Sequence, residues 1–226
     1  MLSPPQPRRG ARRIRLPHES FQHQVHCQPE FRGHIGPMQA YDFAGFLKSS
    51  ADVILGLRSL ETPFLAACDL VTKCFVTGGK LMACGNGGSA ADSAHLTAEF
   101  TGRFVRDRRP YPAICLSAET SVLTAVANDY GYDAVFARQV RAFGRRGDVL
   151  MVLTTSGNSP NVLGALDAAR ELGVSTIALL GRDGGKARGR ADVELLVPHE
   201  LTARVQEAHK VLIHALCERV ESLLGH

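Results

Sequence analysis

No apolar run in this sequence reaches the roughly 18 residues that a membrane-spanning helix needs, so no membrane partner is expected. The first residues carry arginines but no apolar h-region, which argues against a secretory signal. Cysteines 27, 68, 74, 84, 115 and 217 are scattered and none forms a C-x-x-C pair, so a zinc finger is not expected. Cys84 and Cys115 lie in apolar, strand-like runs and read as small core residues. The pattern fits a reducing cytoplasm. The P-loop lysine, the full G-x-G-x-x-G pattern, any internal repeat and any helix-turn-helix segment are also missing.

What is present is a soluble, globular composition: 45% hydrophobic residues over 226 positions, enough for one domain with a sizeable core and an appendage. The net charge of +4 is uneven. Residues 1–37 hold six arginines (Arg8, Arg9, Arg12, Arg13, Arg15, Arg32) against Glu19 and Glu30, and the rest of the chain balances to zero. A nucleic-acid partner would rest on that segment alone and is not expected. Rich in Pro, Arg, His and Gln without periodicity, residues 1–37 read as a disordered basic extension. The alternative is a basic arm for an acidic partner. The domain proper is read as 38–226.

The rest is organised around Leu81–Arg103, LMACGNGGSAADSAHLTAEFTGR. An apolar run ends at Cys84-Gly85, a turn Asn86-Gly87-Gly88-Ser89 follows, then an amphipathic segment carrying His95 and Glu99. Strand, tight loop and helix form the unit with which α/β proteins seat anions on free backbone N–H groups. His95 and Glu99, four residues apart, share one helical face.

Upstream, Phe43, Phe46, Leu47, Val53, Ile54, Leu57 and Leu60 give a helical stripe over 40–60, and a second helix is expected over 61–77. The sheet alone cannot cover two such faces, so they are read as packing on another subunit. Downstream, the pattern predicts strands at 113–116, 149–153, 176–180 and 193–197. Helices are predicted at 120–127 (ended by Asn128-Asp129-Tyr130-Gly131), 136–143, 160–172 and 202–224, with a glycine-rich loop at 181–189. This alternation implies an α/β fold with a parallel sheet covered on both faces. Ligands of such sheets sit at the C-terminal strand ends, where loops 85–89 and 154–159 both emerge.

Three groupings carry chemistry. Thr154, Thr155, Ser156 and Ser159 place four hydroxyls beside a helix start, with Ser159 as N-cap and Pro160 in the first turn. That is a phosphate seat needing no lysine, or an ordinary capped helix. His95 and Glu99 are an acid/base or metal pair, or a plain surface pair. Gln206, His209 and His214 lie on the last helix. At about 100° per residue, Gln206 and His214 are about 80° apart, and His209 about 60° to the other side of Gln206. Either histidine can join Gln206 at a site.

GNGGSA, the H-x-x-x-E after it, AxANDYGY at 125–132, TTSGNSPN and RVQEAHKVLIH together resemble the phosphoheptose isomerases of the sugar-isomerase (SIS) domain superfamily, over residues 38–224. The resemblance implies a three-layer fold, a five-stranded parallel sheet flanked by helices, with N-terminal helices packing a homotetramer whose active sites lie between subunits. It implies interconversion of sedoheptulose 7-phosphate and D-glycero-D-manno-heptose 7-phosphate. Carried over, Asn86, Gly87, Gly88, Ser89, Asn128, Asp129, Thr154, Thr155, Ser156, Ser159 and Gln206 bind substrate, and Glu99 and His214 are the acid/base pair. Some members hold zinc at positions matching His95, Glu99, Gln206 and His214. Ala203 stands where some members carry an aspartate. The competing expectations are a non-catalytic SIS protein of the kind that associates with the replication initiator, a sugar-phosphate sensor, and an isomerase of another sugar phosphate. Retention of Glu99 and His214 argues against the first, and the missing helix-turn-helix against the second.

Overall fold

The computed structural model describes residues 41–225. The basic extension read at 1–37 lies outside them. Five strands, β1 (Leu81–Gly85), β2 (Ala113–Cys115), β3 (Val149–Thr154), β4 (Ser175–Gly181) and β5 (Val193–Val197), form one parallel sheet in the order β2-β1-β3-β4-β5. Among the described residues, seven α-helices accompany them: α1 (Phe43–Gly56), α2 (Glu61–Val76), α3 (Gly88–Thr101), α4 (Thr120–Tyr130), α5 (Val135–Phe143), α6 (Pro160–Leu172) and α7 (Thr202–Leu223).

Side chains alternate across each strand, so each strand feeds two cores. Leu81, Ala83, Val149, Met151, Leu153, Ile177 and Leu179 pack with α2, α3 and α7 on one face. Met82, Cys84, Leu150, Val152, Ala178 and Leu180 pack with α5 and α6 on the other. Both layers are apolar, which is why β1 and β3 read as unbroken hydrophobic runs.

The chain departs from the pattern read in its sequence at three places. The first helical stretch is not continuous: the α-helix ends at Gly56 and tightens to a 3₁₀ turn over Leu57–Leu60. The helix predicted to end before Asn128 continues through Asn128 and Asp129 to Tyr130, and Gly131, at φ 85°, stops it. The glycine-rich loop at 181–189 contains a short 3₁₀ turn, Gly185–Ala187.

The strand order changes direction between β1 and β3, which are neighbours with Gly85 opposite Leu153. Chains leaving a parallel sheet at such a point diverge and leave a crevice between their loops. The loops after β1 and β3 therefore face each other across one gap. The α1–α2 arm is the opposite case: α1 buries no residue, and Phe43, Leu47, Leu55, Leu65 and Val76 remain exposed.

Candidate active site

Hydrogen bonds fix the two loops, the first from a distance in the chain and the second from within itself. Asn86 and the 1%-exposed Asn161 exchange amide bonds, each Nδ2 donating to the other's Oδ1 at 2.9 Å, and the Tyr132 hydroxyl donates to Asn86 Oδ1 at 2.9 Å. Neither Asn161 nor Tyr132 was assigned a role from sequence, although both lie within the motifs quoted above. In the second loop, Thr154 Oγ1 accepts from the Gly157 N–H (3.1 Å) and Ser156 Oγ from the Asn158 N–H (3.2 Å). Gly157 has φ +64°, and a Cβ there would stand 1.8 Å from the Gly184 carbonyl oxygen. The 154–159 loop is thus seated on the loop after β4. Ser159 occupies the N-cap of α6, but its side chain makes no capping bond, contrary to the sequence expectation. Asn161 Oδ1 takes the Val162 N–H instead.

Asn86, Gly87, Gly88, Ser89, Thr154, Thr155, Ser156 and Ser159 all line a single cavity of about 290 Å³, with Gln206 from α7 closing it. Gly88 is where the two elements touch, since a Cβ there would lie 2.4 Å from Gln206 Nε2. Hydroxyls, an amide and the N-terminal turn of α3 facing one volume make an anion seat. Asn128 and Asp129 do not line it. They are exposed on α4, with Asn128 Nδ2 donating to Asp129 Oδ1 at 2.8 Å. A larger cavity of about 540 Å³ lies between α1 and the end of β5. Its ionisable groups are already engaged: Lys48 pairs with Asp52, and His199 Nδ1 accepts from the Leu201 N–H.

The helix-borne groups converge further along α3 and α7. His95 Nε2 lies 3.0 Å from His214 Nε2 and 3.1 Å from Glu99 Oε1, with the two imidazole centroids 5.1 Å apart. The ring of Phe104 covers His214 at 5.7 Å. The His95–Glu99 pair is therefore part of a three-residue cluster rather than an isolated surface pair. All three groups are half-buried, which leaves them reachable by a ligand.

α7 also settles the choice between its histidines. His209 is fully buried, its Nε2 3.2 Å from the Leu180 carbonyl oxygen and its Nδ1 without a partner. Burial lowers its pKa to about 4, against a smaller upward pull from the Leu180 carbonyl. It is a neutral core group; His214 is the one that faces α3.

His95, Glu99 and His214 supply two imidazole nitrogens and a carboxylate, with His95 Nε2 about 3 Å from each of the other two, and the donor types suit zinc. As placed, they bond to one another, and among the described residues no three His, Cys, Asp or Glu side chains stand ready around a common centre. Gln206 sits at the loop end of α7, eight residues before His214 and about 12 Å along the axis at 1.5 Å per residue.

Residues 45–181 match the SIS domain family. A phosphoheptose isomerase of Neisseria gonorrhoeae is 52% identical over 170 residues, covering 74% of this chain and 86% of that protein. The chain belongs to the phosphoheptose isomerases, a family of sugar-phosphate isomerases. A relative of the same name from Methylibium petroleiphilum is 48% identical over 189 residues, covering 82% of this chain and 92% of the other. Among solved structures, the phosphoheptose isomerase of N. gonorrhoeae superposes with a TM-score of 0.74 at 46% identity, covering 79% of this chain and 96% of that one. That of Francisella tularensis gives 0.77 at 36% identity with the same coverage. Their fold is the three-layer arrangement described above, with its five-stranded parallel sheet.

Proposed function

We propose that this protein interconverts sedoheptulose 7-phosphate and D-glycero-D-manno-heptose 7-phosphate. The observation that carries the reading is the convergence of His95, Glu99 and His214 beside a cavity lined by hydroxyls and a helix N-terminus. The family names support the substrate. The 7-phosphate is received by Ser89, Thr154, Thr155, Ser156 and Ser159, with the backbone of Gly87 and Gly88 and the amides of Asn86 and Gln206 along the sugar. Asn128 and Asp129 belong to the binding set only if another subunit or a motion of α4 brings them in.

The reaction moves a hydrogen between adjacent carbons. In the ketose-to-aldose direction a base removes a proton from C1 while an acid protonates the C2 carbonyl oxygen, giving an enediol. The O1 proton then leaves as a proton returns to C2. Glu99 and His214 carry these transfers, and His95, bonded to both, holds them in relative position. A zinc ion held by His95, Glu99 and His214 would supply a Lewis acid for the enediolate oxygens, and Gln206 would join as a fourth donor only by leaving its place against Gly88. The exposed apolar face of α1 and α2 supports a homotetramer as the working form. No described helix is long and apolar enough to cross a membrane, and a cytoplasmic enzyme remains the reading.

The test is direct. Purified protein with sedoheptulose 7-phosphate in D₂O should yield the aldose phosphate with deuterium at the position that changes. A protein that binds the sugar phosphate but gives neither product nor exchange would refute catalysis and favour a binding role.

A further inference from the structure

Beneath the His95–Glu99–His214 cluster lies a buried ion pair that the chemistry above does not use. Glu221 follows His214 by seven residues, two turns, so both project from one face of α7. It is 3% exposed. Its Oε1 accepts from Arg108 Nε at 2.7 Å and from the Phe104 N–H at 3.1 Å, and its Oε2 from the Val105 N–H at 3.3 Å. The Arg108 side chain has no exposed surface. Its other nitrogens turn to the end of α3: Nη2 donates to the Glu99 carbonyl oxygen at 2.7 Å, and Nη1 to that of Phe100 at 3.0 Å. These are carbonyls that a helix terminus leaves without intrahelical partners.

One carboxylate and one guanidinium thus tie three things together: the backbone of Glu99 itself, the segment that lays Phe104 over His214, and the helix that carries His214. A surface salt bridge would tie nothing so firmly, but a buried pair with its donors and acceptors satisfied sets geometry. We infer that Arg108 and Glu221 are positioning residues for the reaction, holding α3 and α7 so that Glu99 and His214 stand on either side of His95. The inference rests on the reading that those two carry the proton. A displacement of about 1 Å at such a pair is worth up to about 100-fold in rate.

The experiment compares wild type, Glu221→Gln and Arg108→Lys for turnover of sedoheptulose 7-phosphate and for the ¹⁵N imidazole resonances of His214, identified by their loss in His214→Asn. Glu221→Gln should lower kcat about 10- to 100-fold with KM within about threefold, because both phosphate loops are untouched. It should also move the His214 resonances. Arg108→Lys keeps the charge but loses the forked donors to the Glu99 and Phe100 carbonyls and should move the same resonances, which keeps the question open to decision if Glu221→Gln does not fold. A lower melting temperature with unchanged kcat and unmoved resonances would mean the pair only stabilises the fold, and would overturn the inference. Wild type that does not turn over the sugar would defeat the functional reading and this inference with it, whereas active wild type beside a Glu221→Gln protein of unchanged kcat would defeat this inference alone.

Discussion

The two halves of the site are built in opposite ways. The loop end consists of two turns that leave neighbouring strands: the second is set within a few residues, Thr154 to Gly157 and Ser156 to Asn158, and the first is pinned from outside, Asn86 being held by Asn161 and Tyr132. The chemical end consists of side chains from two helices more than 100 residues apart, and nothing local brings His95 to His214. In the proposed mechanism the loops bind because their backbone is fixed, whereas the helices react only if tertiary packing puts them in register. Damage to the loop half should therefore appear in KM and stability, and damage to the helix half in kcat.

The strongest test of that division is Glu99→Gln. It should lose at least about 100-fold in kcat, the scale of a general base, with folding and substrate binding retained. Turnover near wild type would remove Glu99 from the mechanism.

Next is the metal. His95→Ala should lower zinc content and activity together, by about 10- to 100-fold in activity. A chelator should reduce the activity of wild type and added zinc restore it. Active, untreated protein without stoichiometric metal by elemental analysis would leave Glu99 and His214 as a pair acting without it.

On the loop side, Gly157→Ala forces a side chain onto a backbone at φ +64° and into the Gly184 carbonyl. It should cost about 1–3 kcal/mol of stability and raise KM more than it lowers kcat. A change confined to kcat would erase the distinction between the halves.

Acid stability separates the two histidines of α7. His209 has its pKa lowered to about 4 by burial, so the unfolded chain binds the extra proton first as pH falls. Its contribution is complete above about 6.5 and is lost as pH falls toward 4, about 1–2 kcal/mol between pH 7 and pH 5. Glu221 acts in the same direction at lower pH. Burial pushes its pKa up, but the Phe104 N–H, Arg108 and the neighbouring N–H groups outweigh it and hold the carboxylate below its usual range. Its share is lost as pH falls through that lowered pKa. His209→Gln should flatten the pH dependence of chemical denaturation between pH 7 and pH 5 without touching kcat. An unchanged slope would mean His209 is not the group responsible.

The smallest effect is expected from the N-terminal segment. A chain starting at Met38 should retain fold, assembly and activity, since residues 1–37 offer little apolar surface to pack. Loss of the oligomer in gel filtration would show that the segment has a structural part.

Much of the site was legible because its signals are local. Gly-Gly-Ser after an apolar run and Ser-Pro before a helical pattern mark chain turns that few other residues permit, and all eight loop residues named from them line one cavity. Asn128 and Asp129 show the limit of such reading. They looked like a helix stop, but the turn continued because Gly131, three residues after Asn128, could take the positive φ that ends it. Asn161 was passed over because an asparagine in a first helical turn looks like an ordinary cap. Its bond to Asn86, 75 residues away, has no sequence signature.

The sequence by itself determined the alternation of strands and helices, the two polar loops at the strand ends and the pairing of His95 with Glu99, since each follows from backbone preference or periodicity over a few residues. Only the tertiary structure decided which histidine of α7 faces α3 and which is core. A periodicity near 100° per residue places both beside Gln206, and the difference lies in what covers each face: Leu180 of the sheet over His209, and α3 with Phe104 over His214. The same holds for Arg108 and Glu221, two charged residues that would pass for surface groups until the packing of α7 against the end of α3 buries them together.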